Sequence, residues 1–180
     1  MHRLEAYARL ALIFIVALAI LYLPVLFFLK KRGKPVSRQI SYLGLVCSLF
    51  LIAFATIFFT PISFHPGTHT LNVVPFAWVG VGDDLSLLIV EKIPNVLLFI
   101  PLGFFLPAVF QKMRRLSAVM PVSFLTTFSI EFFQFFIGRS SDIDDIIANL
   151  LGAVLGYGLF KLLGALFHGK SHWKSFIGSR

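Results

Sequence analysis

The residue best placed to do chemistry is a glutamate inside a long apolar segment. Glu131 is the single charged residue of the run from Leu116 to Gly138. A charged side chain near the centre of a bilayer costs about 2.5–3.5 kcal/mol, so Glu131 should face the protein interior, pair with a cation or be protonated. Gln134 follows at i+3 and shares its helix face. A residue that only holds helices together by hydrogen bonds does not need a charge, since a glutamine would serve. We therefore treat Glu131 as a candidate functional residue.

The segment GRSSDIDDIIANLLGAVLG, residues 138–156, supplies more polar groups. If a helix begins near its first aspartate, one stripe of that helix contains Asp142, Asp145, Asn149, Gly152 and Gly156. The two glycines would let another helix approach closely, which predicts a cleft lined by the carboxylates. A local alternative exists, because Ser141 and Asp144 have the spacing of a helix capping box. Asp144 lies off the stripe and fits that alternative better.

Three further residues complete the predicted cleft. Arg139 could pair with a carboxylate, bind an anionic ligand with both guanidinium arms, or extend toward lipid headgroups. Asn95 follows Pro94 and could either line the cleft or satisfy a helix terminus. The full set of candidate cleft residues is Asn72, Asn95, Glu131, Gln134, Arg139, Asp142, Asp145 and Asn149, with Gly152 and Gly156 as helix-packing residues.

No cofactor is predicted from these residue types. The single cysteine, Cys47, excludes an intramolecular disulfide and a cysteine metal cluster. His65 and His69 are four residues apart, but Pro66 and Gly67 between them disfavour a helical pair of metal ligands. The aspartates could hold a divalent cation, because Mg²⁺ and Ca²⁺ prefer oxygen ligands. A cation at the aspartates is the less favoured alternative to the absence of a cofactor.

The composition excludes an ordinary soluble enzyme. Hydrophobic residues make up 58% of the 180 residues and charged residues 13%, with a mean hydropathy of +0.89, whereas soluble domains carry about 25% charged residues. The net charge of +8 does not point to nucleic acid, because the basic residues form short clusters between apolar runs. The lipid bilayer is the first predicted partner.

Five apolar runs reach or approach the roughly 20 residues needed to cross a bilayer. They are Leu10 to Leu29, Ile40 to Phe64, Ile93 to Phe110, Leu116 to Gly138 and Ile146 to Phe167. The predicted fold is therefore all-α, a polytopic transmembrane helical bundle of about five spans. Prolines in the third run predict a bend there. The first run is too long for a cleavable signal peptide and lacks a small-residue cleavage site.

The charges divide the connections into two groups and predict the topology. One side collects twelve Lys and Arg residues and no acid, and the acids lie at or near the other side. The positive-inside rule then places the N-terminus outside and the C-terminus in the cytoplasm. The chain divides into a first span with a basic loop (1–38), a second span with the start of an outer loop (39–70), the polar membrane domain (71–167) and a basic tail (168–180).

Three sequence blocks resemble a known family in the same order. They are LNVVPF at Leu71 to Phe76, NVLLFIPLG at Asn95 to Gly103, and IEFFQ at Ile130 to Gln134 followed by the segment at 138–156. Together with their connections they cover roughly residues 71–160, and they resemble the VanZ-like family of small bacterial membrane proteins. The resemblance implies a role at the cell envelope in which a lipoglycopeptide antibiotic of the teicoplanin type has less access to its surface target.

Three functions remain open at this point. The favoured one is a non-catalytic protein whose acidic cleft binds an envelope component or a cationic group of the antibiotic. The second is a membrane enzyme acting on a lipid-linked envelope precursor, with Glu131 or Asp145 as general base and Arg139 holding a phosphate or carboxylate. No nucleophile motif supports it. The third is a small transporter in which Glu131 relays protons, although no internal repeat is present. The sequence leaves the oligomeric state open.

Overall fold

The chain is helical through almost all of the residues that can be described. The computed structural model describes residues 2–58, 71–76, 79 and 88–179. Within them lie six α-helices: α1 (His2–Lys31), α2 (Val36–Ala53), α3 (Ile93–Val109), α4 (Leu116–Phe136), α5 (Ile143–Leu166) and α6 (Ser171–Ile177). Turns of π-helix extend α2 over Phe54–Phe58 and precede α3 over Leu88–Lys92. A short 3-10 turn, Gln111–Met113, joins α3 to α4.

Three of these helical segments are long and apolar enough to cross a membrane. They cover Val36–Thr56, Leu116–Phe136 and Ile143–Leu166, and α3 is a shorter apolar helix. The prediction of an all-α membrane protein is confirmed, whereas the five spans and their orientation stay predictions. The last of these helices begins at Ile143 with Asp142 as its cap, which agrees with the helix start expected near the first aspartate and lies three residues before the apolar run at Ile146.

Some predicted features lie outside the described residues. These are residues 59–64 of the second predicted span, the histidines His65 and His69, and the loop acids Asp83 and Asp84.

The centre of the bundle is the close pair α3 and α5. Both glycines of the predicted stripe lie at this contact. A Cβ atom on Gly152 would collide with the carbonyl oxygen of Val96, and one on Gly156 would collide with that of Ile100. The backbones therefore approach to a separation that only glycine permits.

The remaining helices pack around this pair. Helix α2 lies against α3, and α4 lies against α5, so that one buried cluster runs between them. The cluster contains Leu45, Ile52, Phe99, Leu102, Leu106, Val109, Val119 and Ile130. The outward faces are apolar as well, with Leu21 73% exposed and Leu125 61% exposed. Apolar surface of this extent requires lipid contact.

The helix termini form two chemically different ends. At the end we call the basic end, Arg38 donates hydrogen bonds to the carbonyl oxygens of Ala108 at 2.7 Å and Val109 at 2.7 Å, which terminate α3. Arg114 reaches the carbonyl oxygen of Ile177 at 2.6 Å. The opposite end, which we call the acidic end, holds Glu91, Lys92, Glu131, Arg139, Asp142, Asp144 and Asp145.

A two-residue parallel bridge organises the acidic end. Strand β1 (Leu71–Asn72) pairs with β2 (Ser141–Asp142), with Leu71 opposite Ser141 and Asn72 opposite Asp142. The bridge brings the segment 71–76 to the first turn of α5. Residues separated by about seventy positions in sequence thereby share one site.

Candidate functional site

The acidic end is centred on a lysine that is not among the predicted cleft residues. Lys92 Nζ lies 2.8 Å from Asp142 Oδ2 and 2.8 Å from Asp145 Oδ1. Lys92 is 6% exposed and ends the π-helical turn before α3. Burial by itself lowers the pKa of its ammonium group, but the hydrogen bonds and charges of the two aspartates outweigh that effect and raise the pKa overall. Lys92 therefore remains a fixed positive charge.

The lysine stands where a cation would bridge the aspartates. Its ammonium group contacts one oxygen of each carboxylate. Within the described ranges, no group of three or more His, Cys, Asp or Glu residues could hold a metal ion. A divalent cation at these aspartates would therefore compete with the ammonium group of Lys92.

Asp142 is the helix cap of α5, and the predicted capping role of Ser141 is wrong. Asp142 Oδ1 accepts hydrogen bonds from the backbone N–H of Asp144 at 3.0 Å and from Asn72 Nδ2 at 3.0 Å. Ser141 is instead held in the bridge with Leu71, one residue too early to cap the helix. A carboxylate cap also complements the positive end of the helix dipole.

Asp144 fixes the segment that contains the first family-like block. It is 4% exposed, and its Oδ1 accepts a hydrogen bond from the backbone N–H of Phe76 at 2.8 Å. Phe76 has a φ of 59°, a left-handed conformation that is costly for a residue with a side chain. The carboxylate thus stabilises an unfavourable turn at the edge of the site, and this long-range contact replaces the capping-box role that the spacing from Ser141 suggested for Asp144.

Glu131 lies beneath this cap at the inner edge of the site. It is 4% exposed, and its Oε2 accepts a hydrogen bond from the backbone N–H of Asp142 at 3.0 Å. The hydroxyl of Ser141 also interacts with it. The glutamate thus faces protein, as its membrane cost requires.

Gln134 and Arg139 converge on the end of α2 instead of the aspartates. Gln134 Nε2 donates to the carbonyl oxygen of Thr56 at 3.1 Å, and an Arg139 guanidinium nitrogen donates to the same oxygen at 2.8 Å. Burial lowers the pKa of the Arg139 guanidinium. The ion pairs formed by the described side chains are those of Lys92, so carboxylate pairing, one of the three alternatives considered for Arg139, is replaced by a backbone contact.

The two predicted asparagines of α3 and α5 occupy different depths. Asn95 interacts with the carboxylate of Asp145 at the acidic end. Asn149 is 2% exposed and lies deeper, where its Nδ2 donates to Thr127 Oγ1 at 2.7 Å. Asn149 therefore joins α5 to α4, and Asn95 belongs to the cluster around Lys92.

An apolar groove opens beside Glu131 between α4 and α5. Its volume is about 420 Å³, and one wall is phenylalanine. The groove is lined by Phe128, Phe132, Phe135 and Phe136 of α4, by Ile143 and Ile146 of α5, and by Leu71, Asn72, Val73 and Ser141 at its rim, with the Glu131 side chain in the wall. The site therefore combines an apolar groove with a buried glutamate and, next to the polar rim of the groove, the charged cluster around Lys92.

Comparison with known proteins identifies the family. The model of the VanZ/LLP1 family matches residues 13–164. The chain belongs to the VanZ/LLP1 family. It is 34% identical over 131 residues to Protein VanZ of Enterococcus faecium, an alignment that covers 72% of this chain and 76% of that protein. No solved structure matches the chain. The resemblance is confirmed, and the VanZ/LLP1 match begins well before the three blocks that indicated it.

The three VanZ-like blocks meet at the acidic end. The first block supplies Asn72, the second supplies Asn95, and the third supplies Glu131 and the aspartates that bind Lys92. Lys92 itself was missed, as was Thr56. A charge count on the acidic side could have found the lysine. After the second predicted span, that side has two basic residues, Lys92 and Arg139.

Proposed function

We propose that this VanZ-family protein of the bacterial plasma membrane reduces the access of a teicoplanin-type lipoglycopeptide to its target by binding the antibiotic at the acidic end. Family membership supports the resistance role. The mode of binding rests on one observation, the apolar groove that Glu131 lines together with the phenylalanines of α4. A lipoglycopeptide combines an acyl chain with a polar glycopeptide, and the groove offers a matching combination of surfaces.

In this proposal the acyl chain lies in the groove, and cationic groups of the glycopeptide lie at the acidic residues beside its rim. Five side chains described at this end are acidic and two are basic, which leaves an excess of three formal negative charges. A negative rim raises the local concentration of a cationic ligand. Burial of the acyl chain supplies the larger share of affinity, at about 25 cal/mol per Å² of apolar surface removed from water.

The bonding of the aspartates favours binding over catalysis. Asp144 accepts a hydrogen bond from the backbone N–H of Phe76 and Asp142 accepts one from the side-chain amide of Asn72, and together these bonds fix the segment 71–76 against α5. Lys92 holds Asp142 and Asp145 at fixed positions. Groups committed to such contacts build a rigid rim, whereas a general base must be able to exchange its proton with a substrate.

The test compares teicoplanin with the same glycopeptide core lacking its acyl chain, using the purified protein in detergent. We expect the acylated compound to bind more tightly. Phe132→Ala should weaken its binding about tenfold, because loss of part of an aromatic contact costs roughly 1.4 kcal/mol. Phe133→Ala is the matched control, since Phe133 is 56% exposed against 52% for Phe132 but does not line the groove. Equal binding of both compounds would contradict the proposal.

The carboxylate is tested separately with Glu131→Gln. Binding of the acylated compound should fall while the protein still folds, because glutamine keeps an oxygen that can accept the hydrogen bond from Asp142 N–H. In cells, expression of the native chain should raise the teicoplanin concentration needed to stop growth, and the variant should remove that increase. A changed envelope-lipid profile in cells with the native chain, absent with the variant, would instead favour an enzyme.

A further inference from the structure

A second surface with ligand-binding features lies at the basic end, around Trp173 of α6. Its indole stacks on the ring of Phe176 with centroids 5.5 Å apart and contacts Phe160 of α5 at 5.7 Å. Phe167, just after α5, lies 6.3 Å from it. The short helix α6 is thereby held against the end of α5 by aromatic rings.

Two grooves adjoin this tryptophan. The first, of about 460 Å³, has Lys161, His168 and Lys174 among its lining residues. The second, of about 520 Å³, is lined largely by Phe104, Leu163, Phe167 and Phe176. Trp173 lines both grooves, so a cationic surface and an aromatic surface share a boundary. This arrangement matches an amphipathic ligand with an anionic head and an apolar tail.

The charge around the first groove is entirely positive. Lys161 and Lys174 are exposed, and no acidic residue occurs in the sequence after Asp145. Basic pockets between the ends of transmembrane helices are suited to anionic lipid headgroups, and tryptophan prefers the interface between lipid and water. The positive charge is therefore available to an external anion.

We propose that the surface around Trp173 binds an anionic phospholipid, with the phosphate near Lys161 and Lys174 and an acyl chain in the aromatic groove. This surface is distinct from the antibiotic site, because α2 and its extension over Val36–Thr56 run between the two ends, a rise of about 30 Å at about 1.5 Å per residue. The two proposals therefore fail or succeed independently.

Quenching of Trp173 fluorescence by brominated lipids tests the proposal. Replacement of Trp78 by phenylalanine leaves Trp173 as the single tryptophan of the chain. The protein is reconstituted into vesicles of phosphatidylcholine containing rising fractions of dibrominated phosphatidylglycerol or dibrominated phosphatidylcholine. We expect phosphatidylglycerol to reach half of its maximal quenching at a lower fraction, with a relative affinity at least fivefold higher than that of phosphatidylcholine.

The double variant Lys161→Gln and Lys174→Gln should remove this preference, since each lysine contributes about a fivefold factor near an anionic headgroup. The matched control is Lys30→Gln with Lys31→Gln, which removes the same charge from exposed lysines at the end of α1. The control should keep the preference. Equal quenching by the two lipids in the native chain, or equal loss in both variants, would overturn the proposal. Loss of the preference in millimolar inorganic phosphate would assign the site to a free anion and would also overturn the proposal.

Discussion

Lys92 links parts of the chain that are far apart in sequence. It is held between two aspartates of the β2–α5 junction, and it lies directly before the first residue of α3. Removal of one partner of a fully buried ion pair costs about 3–5 kcal/mol, because the remaining charge is left uncompensated. The side chains of Asp142 and Asp145 are 24% and 28% exposed, so solvent compensates them in part.

We therefore expect Lys92→Met to destabilise the protein by up to about 3 kcal/mol. Thermal unfolding in detergent measures the loss as a lower melting temperature. Lys92→Arg, which keeps the charge, should retain most of the stability. Asp142→Asn and Asp145→Asn added to Lys92→Met should restore part of the loss, since they remove the uncompensated charges. Failure of these additions to restore any stability would show that packing of the lysine stem, and not charge, is what matters.

At the scale of single residues, the sequence identified the carboxylates but not their partners. Glu131 was recognisable because an acid in an apolar run must be accommodated, and the aspartates because they share a helix face. Lys92 stands out in the sequence only as a basic residue on the acidic side, and its two aspartate partners could not be predicted, because the contact depends on how the end of α3 is oriented against α5. Long-range contacts of this kind leave no periodic trace in a sequence.

At the scale of elements, the helices followed from apolar length and their contacts followed from glycine spacing. The pair Gly152 and Gly156 predicted a close helix partner, and α3 is that partner. The exact ends of the helices were less predictable. The start of α5 depends on a cap residue, Asp142, that also pairs with Asn72 in the bridge.

Gly156→Ala tests the contact between α3 and α5. The added methyl group would meet the carbonyl oxygen of Ile100 in a backbone that cannot yield locally, so we expect a loss of about 1–3 kcal/mol. Gly158→Ala is the matched control on the same helix, because nothing lies within 4 Å of its Cβ position. That change should be neutral or slightly stabilising, since alanine favours helix over glycine. Equal melting temperatures in detergent for the two variants would contradict the close packing of α3 against α5.

At the scale of the whole molecule, the charge distribution and the fold agree. The basic clusters that precede α2, connect α3 to α4 and follow α5 meet at one end through the contacts of Arg38 and Arg114. The acids that the structure describes after α1 lie toward the other end, where they build the candidate site. Alternating loop charges predicted this separation, because successive crossings return the chain to alternate sides.

Orientation in the membrane decides whether the acidic end can meet an antibiotic, and single-cysteine labelling measures it. In a chain with Cys47→Ser, Ser140→Cys places a thiol at the acidic end, and Lys34→Cys places one at the basic end; both native residues are exposed. We expect a membrane-impermeant maleimide to label the first variant in intact cells and the second only after lysis, because basic connections stay in the cytoplasm. The reverse pattern would place the groove and Glu131 in the cytoplasm, where they could not intercept a drug acting outside the cell.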